Sequence, residues 1–410
     1  MRVTHLSTFA QTGGAARAAL RLHRALLEVG SESFFLTTDR SCAEPFVGTP
    51  AKYSTARHYS HVALNRLVAG LEKTANPALH SPSLFGTSIE KDLNRLRPTV
   101  INLHWLQASF LSIEAIGRIL AHFDTYWTLH DEWAFSGCEH LGAPSNRIEQ
   151  GYTHSNRASA TSWLDINRFV WRKKEHSWSK PATIICPSKA LASKVKTSRL
   201  MGEWPVQVIP NAIDTDVFRP LEPQLARQLL QLPDSCPILL FGAANGIDDY
   251  NKGFDILRAA VDNLLTHFRD LKVLLVGRIP DDVRATLGSH FVPLGQVNSD
   301  LEMTLSMNAS DVVVVPSRSE NLPQMATEAH ACGRPVAAFR IGGMEDVVID
   351  GLTGCLADPF SSESLAKCIR ELLDRDLEPF SRASRLRAET LWSKSTVADA
   401  YLKAYDRSAR

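Results

Sequence analysis

The chain has 410 residues, is 44% hydrophobic and 22% charged, and sets 45 Lys+Arg against 44 Asp+Glu for a formal net charge of +1. This is enough apolar sequence to fill two cores of typical domain size, and the lack of any run of about 18 apolar residues excludes a spanning helix. Seven cysteines, scattered, odd in number and without a CxxC pair, argue against a disulfide framework or a structural zinc site.

The near-zero net charge hides an asymmetry. Residues 1–200 carry 24 Lys+Arg and 15 Asp+Glu, and the remainder carries 21 and 29. Opposite excesses in the two halves point to different partners for each. A basic first half suits an anionic acceptor or a membrane surface, and the alternative is a solvated excess without a partner.

The first nine residues, Met1 to Phe9, read as a strand rather than a leader peptide, which lacks its basic start and cleavage site here. A cytoplasmic location is the expectation. Short apolar runs then alternate with amphipathic helices. Strands are predicted at Val3–Leu6, Phe34–Thr37, Val100–Leu103, Tyr126–Leu129 and Thr183–Cys186, and after a break at Ile238–Phe241, Val273–Val276, Val312–Val315 and Val336–Phe339. Ala15–Val29 is predicted helical, with Ala19, Leu22, Leu26 and Val29 on one face and Gly30 as its stop. Such alternation implies a doubly wound parallel sheet in each half, an α/β fold.

The segment Gly142–Ser162 is polar and reads as a long surface loop. The stretch from Arg168 to Lys180 mixes basic and aromatic residues. It reads either as an interfacial membrane patch or as an ordinary helix with Phe169 and Trp178 packed inside. No nucleic-acid motif accompanies it. The best boundary is Ile209 to Pro220, which carries two prolines and an Asn beside one of them.

The most informative stretch starts Asp311-Val-Val-Val-Val-Pro-Ser-Arg-Ser-Glu-Asn-Leu-Pro323 and runs on to Val336. Four valines make a strand buried on both faces. A polar loop follows, Pro323 suits the first turn of a helix, and Gly333 and Pro335 end that helix. The loop therefore lies at the carboxyl edge of a sheet beside a helix N-terminus, where ligands of open α/β sheets bind and phosphate is favoured. Glu320 in the loop and Glu328 in the helix stand near the same place. Carboxylates do not bind phosphate, but they accept hydrogen bonds from sugar hydroxyls. A phosphate cradle flanked by hydroxyl acceptors matches a nucleotide sugar.

This order of strand, Ser-x-x-Glu-Asn-x-Pro, Glu-Ala and Gly-x-Pro-Val resembles the family-4 retaining glycosyltransferases of GT-B fold. Further matches are Gly13-Gly14, Thr128-Leu-His-Asp131, Cys186-Pro-Ser-Lys189, Ile209-Pro-Asn-Ala-Ile-Asp214, Lys252-Gly253 and Ile341-Gly-Gly343. Asp131-Glu-Trp-Ala-Phe-Ser-Gly137 and Trp171-Arg-Lys-Lys174 are similar to a branch associated with exopolysaccharide and O-antigen assembly. The resemblance implies two Rossmann-like domains facing each other across a cleft. Residues 1–212 would form an acceptor domain, with a C-terminal helix at about 390–410 packed back on it, and 213–389 a nucleotide-sugar donor domain.

It also implies site roles: Glu320 at the donor sugar, Glu328 at the ribose, main-chain N–H groups around Asn321 and Leu322 at the diphosphate, and Lys252 neutralising that diphosphate as it leaves. Gly13, Gly14 and His130 are implied at the donor or acceptor, while His130 and His104 read on their own as strand-end histidines. Family members carry Arg a few residues before the Lys. Here no basic residue lies between Phe241 and Lys252, so Lys252 acts alone or Arg278 takes that place. Asp214-Thr-Asp216 spells the metal-binding DxD of another fold but falls in the linker and reads as a turn. The branch carries a cysteine cluster after the Asp131 motif, of which only Cys138 remains here, which argues against a metal in that loop. No obligatory metal or cofactor is expected.

The implied activity is transfer of a sugar from a nucleoside diphosphate to a saccharide or lipid-linked saccharide hydroxyl, with retained configuration, for cell-surface polysaccharide. A peripheral contact with the inner membrane face and no nucleic-acid partner complete the expectation. The alternatives are a GT-B sugar synthase or hydrolase and a non-catalytic nucleotide-sugar-binding subunit.

Overall fold

The computed structural model describes residues 1–51, 53–74, 76–142, 145–157, 164–243, 246–297 and 299–406. The chain divides into two compact units, Met1–Pro210 together with Ala398–Arg410, and Asn211–Val397.

In the first unit seven parallel strands form one sheet: β1 (Arg2–Leu6), β2 (Glu32–Leu36), β3 (Val47–Gly48), β4 (Val100–Leu103), β5 (Thr125–Thr128), β6 (Thr183–Cys186) and β7 (Val206–Val208). Their order is β3-β2-β1-β4-β5-β6-β7. In the second unit six parallel strands, β8 (Ile238–Ala243), β9 (Lys272–Gly277), β10 (Phe291–Gly295), β11 (Val312–Val315), β12 (Val336–Phe339) and β13 (Gly354–Ala357), run in the order β10-β9-β8-β11-β12-β13. Each sheet is doubly wound. The chain reverses its direction of travel between β1 and β4 in one and between β8 and β11 in the other. The carboxyl ends of those strand pairs are the switch points where such sheets bind ligands.

The second sheet shows why its strands were legible. Leu240, Leu274, Val313 and Ala338 pack into a core on one face, and Leu239, Val273, Val314 and Ala337 into a core on the other. With both faces covered, each central strand needs apolar side chains at every position. β11 is anchored at its start by Asp311, whose two carboxylate oxygens each accept a 2.9 Å hydrogen bond from Arg227.

In the first sheet one face is apolar, with Leu6, Ile101, Leu103, Trp127 and Ile184 in its core, and the other carries a buried polar cluster. Asn102 of β4 donates to the Tyr405 hydroxyl at 2.8 Å, and the Thr128 and Tyr401 hydroxyls bond at 3.0 Å. The last turns of the helix Lys394–Tyr405 thus belong to the first unit, with Tyr401 and Tyr405 buried.

Three local readings need correction. Phe169, expected inside its helix, is 53% exposed, while Trp171 and Trp178 are buried. The stretch 142–162 lies partly outside the described residues. What is described of it is not all surface, since Arg147 and Tyr152 are buried beside the short helix Arg147–Gln150. Cys355 of β13 is disulfide-bonded to Cys368 of the helix Ser362–Leu373, their Cα atoms 5.7 Å apart; of the other described cysteines, all but Cys42 are buried. Among the described residues no helix is long and apolar enough to cross a membrane.

Candidate active site

Lys252 follows β8 and Glu320 follows β11, so the second unit's switch point brings together two residues 68 positions apart. Lys252 Nζ donates to Glu320 Oε1 at 2.6 Å. Burial works against the ammonium charge, but attraction and hydrogen bonding from Glu320, with Asp249 adding to it, raise the Lys252 pKa above its ordinary value. Lys252 therefore carries its charge at neutral pH.

Two glycines permit this approach. Gly253 has φ +71°, and a Cβ there would lie 2.0 Å from the Pro316 carbonyl oxygen. Lys252 can reach the end of β11 because its neighbour has no side chain. Gly342 has φ +50°, and a Cβ there would lie 2.3 Å from the carbonyl oxygen of Glu320, which also accepts from the Gly343 N–H at 3.1 Å. The Lys252-Gly253 and Ile341-Gly-Gly343 motifs thus both abut the 316–320 loop.

A second clasp closes the same loop. The Arg318 N–H donates to the Asn251 carbonyl at 2.7 Å, and the Asn251 amide donates to the Ser319 carbonyl at 2.9 Å. The Arg318 guanidinium lies 3.9 Å from the Tyr250 ring centroid and binds both Asp255 oxygens, at 3.0 and 2.6 Å. Arg318 went unnoticed at the sequence level, although it stands two residues before Glu320 in the most informative motif.

Pro323 caps the helix Gln324–Ala331 instead of entering its first turn, and the helix ends as expected with Gly333 at φ +68°. Leu322 is buried, Asn321 half-buried, and Glu328 only 3% exposed. A helix carboxylate left in solvent, the ordinary fate of such a Glu, is thereby excluded. Arg278, at the end of β9, leans over Gly246 and pairs with Asp248 at 3.1 Å in an exposed position. Residues 244 and 245 of the segment before Lys252 lie outside the described residues. Asp214 caps a turn, its Oδ1 accepting from the Asp216 N–H at 3.1 Å while Oδ2 meets Lys394 at 3.0 Å.

At the first unit's switch point Gly13, at φ +88°, caps the helix Gly14–Glu28 just beyond β1. His104 beyond β4 and His130 beyond β5 are joined through His104 Nδ1 and His130 Nε2 at 3.2 Å. His104 Nε2 continues to His5 Nδ1 of β1 at 3.0 Å. Sequence reading found the two strand-end histidines but not the third, because β1 and β4 become neighbours only in the folded sheet. Burial lowers all three: His130 to about 4, with Asp131 partly opposing, and His5 and His104 well below the usual value. The chain of imidazoles is neutral at pH 7 and can pass or fix a proton but does not carry charge. Asp131 is ordered by three donors: the Trp105 indole N–H at 3.0 Å, the Trp133 N–H at 3.0 Å and His140 Nδ1 at 2.6 Å. Burial pushes its carboxyl up, but the attraction and hydrogen bond of His140 prevail and leave it lowered.

Residues 12–217 match the family model described as Glycosyltransferase Family 4, and residues 237–375 match Glycosyl transferases group 1. A curated relative, the D-inositol 3-phosphate glycosyltransferase of Mycolicibacterium smegmatis, is 32% identical over 218 residues, or 50% of this chain and 48% of that protein. The chain spans about half the length of the curated relatives it matches. Anabaena Alr3699/HepE, solved in complex with UDP and glucose, superposes with a TM-score of 0.67 at 17% identity, covering 98% of this chain and 99% of that one. WaaG, a glycosyltransferase involved in lipopolysaccharide biosynthesis, does so at 0.66 and 15%, covering 99% and 100%. Both likenesses run the full length of the fold, and by the family match over residues 12–217 the chain belongs to glycosyltransferase family 4.

Proposed function

We propose that this protein is a retaining glycosyltransferase that moves a sugar from a nucleoside diphosphate to the hydroxyl of a saccharide or lipid-linked saccharide, in cell-surface polysaccharide synthesis. The observation that carries the reading is the Lys252–Glu320 pair at a sheet switch point, beside the start of the helix Gln324–Ala331. A departing diphosphate needs positive charge and N–H donors in a fixed place. Lys252, the main-chain N–H groups of Asn321 and Leu322 and the helix N-terminus supply these, with Arg278 as a second cation at the loop that precedes Lys252. On donor binding Lys252 exchanges the Glu320 carboxylate for the diphosphate. Glu320 is then left to accept from sugar hydroxyls, and the buried Glu328 to accept from the ribose. His130 faces the sugar as a neutral imidazole whose tautomer is set by His104. No metal enters this scheme.

Support for a nucleotide-sugar donor comes from HepE, solved with UDP and glucose. Support for a surface-polysaccharide role comes from the Asp131–Gly137 and Trp171–Lys174 motifs and from the likeness to WaaG. A peripheral contact with an anionic membrane face is supported by the helix Thr55–Ala69. It buries only His58 and Asn65 and exposes Tyr59, Leu64 and Leu67 alongside its arginines.

The curated relatives favour a second acceptor, D-inositol 3-phosphate, for which the basic first half is also suited. The test is a labelled-donor assay with UDP-, GDP- and ADP-sugars against both acceptors. Label reaching a saccharide supports the first reading, label reaching the inositol phosphate the second, and label reaching only water a hydrolase. Donor binding with no turnover on any acceptor indicates a binding subunit. Glu320→Ala must abolish transfer with the fold intact; full activity in that variant removes the donor-site assignment.

A further inference from the structure

Beyond β5 the chain folds back so that Cys138 and Glu139 lie beside His80. The two segments are fastened through main chain, Ser81 N–H to the Cys138 carbonyl at 2.6 Å and His140 N–H to the Leu79 carbonyl at 2.9 Å, with His80 and Glu139 paired in an antiparallel bridge. One imidazole nitrogen, one thiol sulfur and one carboxylate oxygen from these residues lie within 4.8 Å of one another.

Each of the three side chains is held from behind. His80 Nδ1 is 2.6 Å from the Ala78 carbonyl. A carbonyl only accepts, so the ring proton sits on Nδ1 and the lone pair on Nε2. Glu139 Oε1 accepts from the Tyr152 hydroxyl, and the Cys138 thiol lies 2.8 Å from Asn167 Oδ1. The atoms turned toward the cluster are otherwise. His80 Nε2 and Glu139 Oε2 are both withdrawn from solvent and have no hydrogen-bond partner, and Glu139 and Cys138 are buried. Two acceptors buried side by side with no donor between them need a shared positive partner. Lys174, whose burial lowers its pKa to about 7 although Glu139 favours its charge, is turned elsewhere: its Nζ donates to the carbonyls of Trp133, Ser136 and Gly137.

We propose that His80, Cys138 and Glu139 bind a zinc ion, with water as the fourth ligand. Nitrogen, sulfur and oxygen in one set match zinc and exclude the oxygen-seeking magnesium and calcium. Zinc bonds of about 2.0–2.3 Å place ligand atoms about 3.5 Å apart, so the cluster closes by about 1 Å. The thiol releases its proton to solvent as the zinc–sulfur bond forms, and Asn167 Oδ1 keeps the Cys138 N–H as its donor at 2.9 Å. The Ala78 carbonyl and the Tyr152 hydroxyl form the outer shell that orients His80 and Glu139. The ion would pin the Asp131–His140 loop, and with it Asp131, to the 78–81 segment. The ligand set differs from the cysteine cluster of the branch, which is why Cys138 alone gave no such reading.

The test uses the full chain, stripped with EDTA and dialysed against micromolar free zinc. The result expected is one zinc per chain by elemental analysis, a raised melting temperature, and loss of both in Cys138→Ala and His80→Gln. Reloading the wild-type chain with cobalt(II) must give a thiolate-to-cobalt charge-transfer band, a readout that holds even if either variant misfolds. A wild-type chain that retains no zinc, a cobalt spectrum without the thiolate band, or a folded Cys138→Ala chain that keeps its full zinc overturns the proposal.

Discussion

Gly342→Ala changes no charge and removes no functional group, yet it must disable the site. The added Cβ would sit 2.3 Å from the Glu320 carbonyl oxygen, about 1 Å inside ordinary contact, and the other party is main chain that cannot rotate away. The loop must shift by about that distance, carrying the Glu320 carboxylate off its 2.6 Å contact with Lys252. A misplacement of about 1 Å at a reacting centre costs about 100-fold in rate. The φ of +50° adds about 1–2 kcal/mol for a residue with a side chain. With the displaced loop the total is about 2–4 kcal/mol, a fall of about 5–15 °C in melting temperature for a domain of this size. The assay is steady-state transfer of labelled sugar, paired with calorimetry. Gly351→Ala is the control, since its φ is +76° but a Cβ there meets nothing within 4 Å. It should lose stability and keep its rate. Gly342→Ala with unchanged rate, or both variants with equal loss of rate, refutes the link between the Ile341-Gly-Gly343 turn and the site.

Lys252→Gln should lower kcat by about 100- to 1,000-fold, as loss of a preorganised stabiliser of developing charge does, while the melting temperature falls only modestly because Lys252 is part-exposed; a rate within threefold of wild type contradicts its role. Asp311→Asn leaves the Arg227 guanidinium, 9% exposed, without its bidentate partner at the start of β11. The expected cost is about 2–3 kcal/mol, discounted from a fully buried pair because Asp311 is partly exposed, read as a lower urea midpoint. Stability should also depend on pH through the buried histidines. Burial holds His130 at about 4 and His330 at about 3, with the Thr353 carbonyl partly opposing in the latter, and His5 and His104 well below 6.5. Below pH 6.5 the unfolded chain takes up protons that the folded chain refuses. Stability is therefore complete above pH 6.5 and falls as pH drops toward 4 and 3, by up to about 1.4 kcal/mol per pH unit for each such histidine. A melting temperature that stays flat or rises between pH 7 and 5 contradicts this.

What the sequence made legible, and what it hid, follows from the range of the interactions involved. Val312–Val315 announced itself because a strand covered on both faces must be apolar throughout. β3, with two residues, and β10, an edge strand carrying Pro293 and a register shift, have no such signature, because an edge strand answers to one neighbour only. The loop holding Glu320 could be placed from its own residues, strand before and helix after. Its clasp to Tyr250–Asp255, the support from Gly342 and the His5–His104–His130 chain could not. Each joins segments that meet only once strand order is known, and strand order is not encoded in local periodicity. The Cys355–Cys368 bond was hidden for the same reason, since it depends on how a helix lies on β13. Phe169 shows the opposite failure: an aromatic residue in a basic helix suits either a packed or an exposed face, and nothing local says whether a partner covers it.

Transfer as proposed requires a diphosphate seated between Lys252 and the start of the helix Gln324–Ala331. A crystal structure of the chain soaked with a nucleoside diphosphate sugar tests this most directly. The prediction is phosphate oxygens within 3.2 Å of Lys252 Nζ and of the Asn321 or Leu322 N–H, an ordinary hydrogen-bond reach, with Glu320 turned to the sugar. A nucleotide bound elsewhere, with the Lys252–Glu320 pair unbroken, would contradict it.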